Sequence, residues 1–376
     1  MIRTSELQIY EGKPYGNIMF DISYDDFTKL GFHEGDSVDF ICDGKTLLED
    51  IPFLSVCVLP EGMYCLNARE GFNWIRIDMR LGNMWEQLKM QSPSIGEILL
   101  RLPGKYINLQ KTFCADFSVY RRDYLSDEHY TNYRELKTGK IHSGRFYCSA
   151  SFFDVPERCQ YLNKQLDRDG IKYCLNMSCG KDMMNEFIRN SGSDVPYIRK
   201  LFEENHIYTT MLSANYMSPD FRRGLAKAMR ELLLHKGPYL LQCKAGLDRT
   251  GFLSILLGAL VGADSKEIVK DYMSSYERLC GITIERDPDK YKILRHFQAN
   301  RIMKVLAEDN TGADVRNCCD SINYNDAFRN DPDFIVPENG CEYYTGDQMA
   351  EMAENYFLKC DMSGHEVAVL KKLLIE

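Results

Sequence analysis

The chain has 376 residues, with 46 Lys and Arg against 55 Asp and Glu, a formal net charge of −9. Hydrophobic residues make up 44% and charged residues 27%, a soluble globular balance with apolar content for a sizeable core, which excludes global disorder. An acidic total also excludes coating nucleic acid by bulk charge, although a local basic pocket stays open.

No long apolar stretch lies near the start, so no signal peptide is read there. The strongest apolar run, Phe252 to Ala263, is twelve residues. A membrane span needs ~20, so this run predicts a buried helix and no integral membrane segment. The 14 cysteines are scattered and form no Cys-x-x-Cys pair. They read as reduced thiols of a cytoplasm, mostly packed as small hydrophobes. Seven dispersed histidines give no metal-ligand spacing, and no metal or cofactor is expected.

The first hundred residues read as β. Val38, Phe40 and Cys42 alternate into Asp43-Gly44, a hairpin signal. Pro60-Glu61-Gly62 is a turn, and Ile75 and Ile77 share one face opposite Trp74, Arg76 and Asp78. Ser23 with Asp26 predicts a capped short helix. Residues 1–100 therefore form a small β-rich, barrel-like domain. Residues 101–145 read as a tyrosine-containing connector. Tyr24, Tyr106, Tyr120 and most of the 23 tyrosines are expected to be packing residues.

From there strands and helices alternate. Pro156 to Leu166 predicts a helix, Gly170 a stop and Ile171 to Leu175 a strand. Ser218-Pro219 opens a helix with Phe221, Leu225, Met229 and Leu232 on one face, and Gly237-Pro238 ends it. Tyr239 to Gln242 is a buried strand, followed by a glycine-containing loop, the apolar helix and a helix capped by Asp264 and Glu267. This pattern predicts an α/β domain over 101–376, a mostly parallel sheet flanked by helices. Asp182 to Arg199, with Met183 and Met184, reads either as a lid or as a surface helix and loop. Lys371-Lys372 reads as a helix-end charge pair.

The chemistry concentrates in Gln242-Cys243-Lys244-Ala245-Gly246-Leu247-Asp248-Arg249-Thr250-Gly251. A loop entering a helix aims backbone N–H groups at one point and binds a phosphate dianion there. Ala245, Gly246 and Gly251 let the backbone fold tightly around that anion. Arg249 can grip two oxygens with its fork. The positive field favours a thiolate at Cys243, which can attack phosphorus, and Thr250 can donate its hydroxyl to that sulfur. Cys280 also has an arginine six residues on, Arg286, but it lacks the hydroxyl residue and the small loop residues. It is expected in the core.

This loop resembles that of the cysteine-dependent protein tyrosine and dual-specificity phosphatases. The nearest likeness is to atypical bacterial tyrosine phosphatases that also act on phosphoinositides, whose loop reads His-Cys-x-Ala-Gly-Lys-Asp-Arg-Thr-Gly. Asn132-Tyr133-Arg134-Glu135-Leu136 looks like their Asn-Phe-Arg-Asp-Leu element. Gly170-Ile171-Lys172 leads a strand as theirs does, and Ile268, Asp271, Tyr272 and Ser275 fit their Ile-x-x-Asp-Tyr-x-x-Ser helix. Met362 to Leu374 resembles their closing helix. The likeness covers about residues 115–376, more weakly near 305–345.

Departures from that pattern are Gln242 for histidine, Leu247 for the lysine that implies phosphoinositide use, Asn176 for an Asp-Leu-Arg and Cys148 for arginine. Lys244 supplies a loop cation at another position. The resemblance implies phosphomonoester hydrolysis, with phosphotyrosyl or other phosphoproteins as substrates, or phosphoinositides and inositol phosphates. It implies Asp248 as general acid, with Asp182 and Asp220 in reserve. A phospho-ligand binding module and a sulfur- or arsenate-handling thiol enzyme are the other classes such a loop serves. Nearer the start, Tyr15-Gly16-Asn17-Ile18 with Gly35-Asp36-Ser37-Val38 resembles the small β domain of S-adenosylmethionine hydroxide adenosyltransferases.

Overall fold

The computed structural model describes residues 2–376 except 14, 56–57, 93, 154–155, 192–193, 312–321 and 338–342. The chain divides into two compact units. One gathers the described residues of 1–116, 284–298 and 319–339, and the other those of 117–283, 299–318 and 340–376.

The strands of the first unit are β1 (Leu7–Gly12), β2 (Asn17–Phe20), β3 (Ser37–Cys42), β4 (Lys45–Leu54), β5 (Tyr64–Asn67), β6 (Ile75–Met79) and β7 (Ser94–Leu102). They close a barrel in the order β1-β2-β6-β5-β4-β3-β7. Every neighbour is antiparallel except β4 with β5. The β3–β4 turn is the two-residue Asp43-Gly44, with φ of 47° and 74°. Both angles are those of the primed turn that matches strand twist. Ile75 and Ile77 enter the barrel core with Phe20, Val38, Phe40 and Phe53. Helix α1 (Tyr24–Lys29) starts where Ser23 accepts the Asp26 backbone N–H at 3.1 Å. Helices α2 (Met84–Gln87) and α3 (Ile107–Phe113) complete the amino-terminal part. A second apolar cluster joins Tyr106, Leu109 and Phe113 to Phe297, Tyr324 and Phe328.

The second unit opens with α4 (Asp127–Tyr130), β8 (Arg134–Glu135), β9 (Phe146–Ala150), α5 (Pro156–Arg168) and β10 (Tyr173–Asn176). It continues through α6 (Lys181–Asn190), α7 (Pro196–Glu203), β11 (Ile207–Thr209), α8 (Pro219–Leu233) and β12 (Tyr239–Cys243). Then come α9 (Asp248–Leu260) and α10 (Ser265–Cys280). The helices beyond are α11 (Pro288–Leu294), α12 (Arg301–Thr311), α13 (Tyr324–Asn330), α14 (Gly346–Lys359) and α15 (Gly364–Ile375). Of these, α11 and α13 fall in the first unit.

The sheet runs β11-β10-β12-β9-β8. The pairings among β11, β10, β12 and β9 are parallel, and the short β8 pairs antiparallel with β9. Leu162, Leu166, Met184, Ile188, Ile198 and Leu201 of α5, α6 and α7 pack with Cys174 and Leu240. Strand alternation leaves Tyr173, Leu175, Tyr239 and Leu241 for the opposite face. Helix α8 buries Phe221, Leu225, Met229 and Leu232, but it ends at Leu233, four residues before Gly237. Helix α9 is buried at every residue from Thr250 to Leu260, which marks an interior helix. No helix among the described residues is long and apolar enough to cross a membrane.

Candidate active site

Strand β12 is buried at all five residues and ends at Cys243, which is 1% exposed. Helix α9 begins five residues later, so the four-residue loop 244–247 joins the carboxyl end of a central strand to a helix amino terminus. Leu247 is the cap residue and makes no side-chain capping bond. The first-turn amides of such a helix point toward a ligand rather than into the helix ladder.

Tight local geometry shapes the loop. Gly246 has φ of +72°, and a Cβ there would lie 2.7 Å from the Ser149 carbonyl oxygen. Lys244 is exposed, Ala245 half-buried and Leu247 buried. Asp248 and Arg249 form the first turn of α9, both half-buried. Arg249 donates from Nη1 to the carbonyls of Met177 at 3.2 Å and Leu212 at 3.1 Å. The segments that follow β10 and β11 thereby orient the guanidinium. Thr250 is fully buried, and its hydroxyl has no hydrogen-bond partner among the described residues. Its carbonyl accepts the Ser254 hydroxyl at 2.7 Å. Gly251 lies against the Tyr272 ring, where a Cβ would come within 2.4 Å.

A buried polar network lies under the loop. Gln242 donates from Nε2 to Ser149 Oγ at 2.9 Å and to the Ala150 carbonyl at 3.1 Å. Asn176 donates from Nδ2 to Ser151 Oγ at 3.1 Å and to Gln242 Oε1 at 3.4 Å. Its Oδ1 accepts the Ser178 amide at 3.0 Å. Gln242 thus braces the tips of β9 and β10 against β12, rather than bonding residues 244–247. The Ser151 amide in turn donates to the Lys244 carbonyl at 3.1 Å.

The reserve carboxylates stand on two other helices. Asp182 is exposed on the first turn of α6, and Asp220 is exposed on the first turn of α8, where it pairs with Arg223. Met184 and Ile188 anchor α6 in the core while Met183 is exposed, so the 182–199 segment is two packed helices with a connection. Cys280, expected in the core, is instead half-buried as the last residue of α10, where the helix end faces partly outward. Eight of the ten described cysteines are buried, and all ten are free thiols. The remaining four of the 14 lie outside the described residues.

Four further residues contribute, of which Asn132 and Arg134 belong to the element that resembles Asn-Phe-Arg-Asp-Leu, without a site role assigned there. Asn132 donates from Nδ2 to the Ala245 carbonyl at 3.0 Å. The carbonyls of Met177 and Leu212 hold Arg249, and Arg134 is a buried cation beside this layer. Backbone carbonyls carry no side-chain signal. The signal for Asn132 was its residue type, which tolerates the left-handed backbone it adopts at φ of 50°.

A strand-ending cysteine, a tight loop and an arginine in the following helical turn thus stand together at one strand-to-helix passage. Residues 133–331, more than half of the chain, match the model of the tyrosine phosphatase family. The chain belongs to the tyrosine phosphatase family. A crystal structure of an uncharacterized conserved protein from Thermotoga maritima is similar at 18% identity, with a TM-score of 0.21. That match covers 25% of this chain and 35% of the other, so the chain spans about a third of that protein's length. No curated protein matches the chain.

Proposed function

We propose that the chain is a metal-independent phosphomonoester hydrolase acting through a phospho-cysteine, with residues 101–376 as its catalytic region. The observation that carries this reading is the placement of Cys243 and Arg249 at the two ends of one tight strand-to-helix loop. Family membership supports the reaction class. In the first step the Cys243 thiolate attacks phosphorus. The P–O bond to the leaving group breaks, and Asp248 gives that oxygen its proton. Arg249 and the amides of residues 244–249 stabilise the transferring phosphoryl group, with Lys244, Ala245, Gly246, Leu247, Thr250 and Gly251 shaping the cradle. In the second step water attacks phosphorus, the Asp248 carboxylate takes its proton and the P–S bond breaks. Phosphate leaves and the thiolate returns.

Phosphotyrosyl and other phosphoproteins are the substrates of this proposal. The exposed Lys244 beside the cradle favours a second reading, a more highly charged phosphoinositide or inositol phosphate. A cytoplasmic setting agrees with the free thiols. The test is phosphate release from phosphopeptides, inositol phosphates and phosphoinositides, with Cys243→Ser as control. Wild type is expected to release phosphate and folded Cys243→Ser none. Residual release by folded Cys243→Ser removes the cysteine mechanism, and release by neither leaves a binding module.

A further inference from the structure

Behind the loop sits a cation that the proposed chemistry does not use. Arg134 is on β8, and its side chain is 2% exposed. Its Nη2 lies 3.4 Å from Ser254 Oγ and 3.5 Å from Asp271 Oδ2, both long contacts. Its Nε and Nη1 have no hydrogen-bond partner among the described residues. A guanidinium is charged at every accessible pH, and burying one with two unsatisfied edges is costly.

The surroundings compensate this charge poorly. Asp271 on α10 is the ion-pair partner, at the long distance above and partly exposed. Arg278, on the same helix, is pushed below its ordinary value first by burial and then by Arg134 as a like charge. Burial pushes the Cys148 thiol up, so this neighbour is uncharged at neutral pH. Burial works against the charge on Arg134 while Cys148, Asp271 and Cys243 favour it and hold it above its ordinary value. With the Cys148 thiol uncharged at neutral pH its share is lost there, and the long contact to Asp271 is the carboxylate pairing that remains.

Register places the excess charge relative to the loop. Arg134 pairs with Cys148 of β9, and Cys148 pairs with Leu241 of β12, two residues before Cys243. Two strand spacings separate the Arg134 backbone from Leu241 by about 10 Å, and Cys243 stands two residues further along β12. Ser254 links the layers, contacting Arg134 with its hydroxyl and donating to the Thr250 carbonyl at 2.7 Å.

We propose that Arg134 is an electrostatic positioning residue whose uncompensated charge strengthens oxyanion binding by the 243–249 loop, with Asp271 attenuating it. This rests on the reading of that loop as an oxyanion site. At about 10 Å and an effective dielectric near 20, one charge changes anion affinity on the order of tenfold.

The experiment is calorimetric binding of tungstate, an inert phosphate mimic, to the 376-residue chain. The variants are Arg134→Met, Arg134→Lys, Asp271→Asn and the Arg134→Met/Asp271→Asn pair. Arg134→Met is expected to bind on the order of tenfold more weakly, Arg134→Lys near wild type, and Asp271→Asn more tightly. The double variant falls between the two single ones. A purely structural ion pair predicts weaker binding in both single variants, since each breaks the same contact, and that result overturns the proposal. Where Arg134→Met does not fold, Asp271→Asn decides the question: unchanged or weaker binding overturns it. Wild type that fails to bind tungstate overturns the oxyanion-site reading itself, and this inference with it, before any variant is compared.

Discussion

The side-chain amide of Asn132 donates to the backbone carbonyl of Ala245 at 3.0 Å, tying a residue two positions before β8 to the middle of the cysteine loop. Asn132 is fully buried and holds φ of 50°. The two roles separate by substitution. Asn132→Gly keeps the left-handed backbone and removes the tie, so phosphate release should fall about fivefold to tenfold, the worth of one hydrogen bond. Asn132→Ala removes the tie and adds left-handed strain, so it should also lose about 1–2 kcal/mol of unfolding free energy. Steady-state kinetics with urea titration of both variants checks this. Equal stability of the two would contradict the strain assignment.

Gly246 and Gly251 are both intolerant of a side chain, for different reasons, and alanine should expose the difference. At Gly246 the added methyl meets the Ser149 carbonyl in a backbone already at φ +72°. Neither group can yield without moving β9, so Gly246→Ala should abolish detectable tungstate binding. At Gly251 the methyl meets the ring of Tyr272, which is buried within α10. Overpacking of this kind costs about 1–3 kcal/mol, so Gly251→Ala should lower the melting temperature while retaining measurable binding. Calorimetry and thermal melts of the two variants distinguish the effects.

Much of this site is legible along the chain because its parts are contiguous. Cys243 through Gly251 form one strand-to-helix passage, and the caps at Ser23, Ser218 and Asp264 mark helix starts by local chemistry alone. What supports the loop is not contiguous. Gln242, Asn176 and Ser151 meet only because parallel pairing aligns Asn176 with Gln242 and Gln242 with Ser149. The anchors of Arg249 are main-chain carbonyls at residues 177 and 212, which any residue type could supply. The first unit shows the same limit. Its barrel strands alternate visibly, but Phe297, Tyr324 and Phe328 join its second cluster from far along the chain. Nothing in their local pattern distinguishes them from the packing residues of the second unit.

The last helix carries a pH-dependent contribution. Arg230 of α8 binds both carboxylate oxygens of Glu366, at 2.6 and 3.3 Å. Glu366 also accepts the Ser363 amide at 2.7 Å in the capping box that starts α15. Arg230 first, then the Ser363 amide, lower the Glu366 carboxyl from 4.5 to about 2. A depressed folded-state value means the stabilisation is fully present above about pH 4.5 and is lost as pH falls toward 2. Glu366→Gln should therefore be less stable than wild type at pH 7 and equal to it near pH 2. The neutral-pH difference should be about 0.5–1 kcal/mol, as for a solvent-accessible pair, and smaller in high salt. Thermal melts of both proteins between pH 2 and 7 measure it, and a constant difference across that range would refute the assignment.

Asp248 offers the sharpest test of the proposed proton transfer, because general acid help matters most when the leaving oxygen is a poor leaving group. It sits in the first turn of α9 beside Arg249, at the mouth of the loop that begins with Cys243. An acid positioned there contributes about 10²–10⁴-fold where the leaving oxygen must be protonated. Asp248→Asn should then lower turnover by about that factor on an alkyl or phosphotyrosyl ester. On para-nitrophenyl phosphate, whose phenolate leaves without a proton, the loss should be much smaller. Tungstate affinity should change little, since the asparagine is nearly the same size and the cradle amides are untouched. Rates for the two substrate types, with tungstate binding measured on the same preparation, give three independent readings. An equal loss on both substrates would assign Asp248 to holding the loop. An unchanged rate on both would move the acid role to another group, with Asp182 and Asp220 tested next by the same substitution.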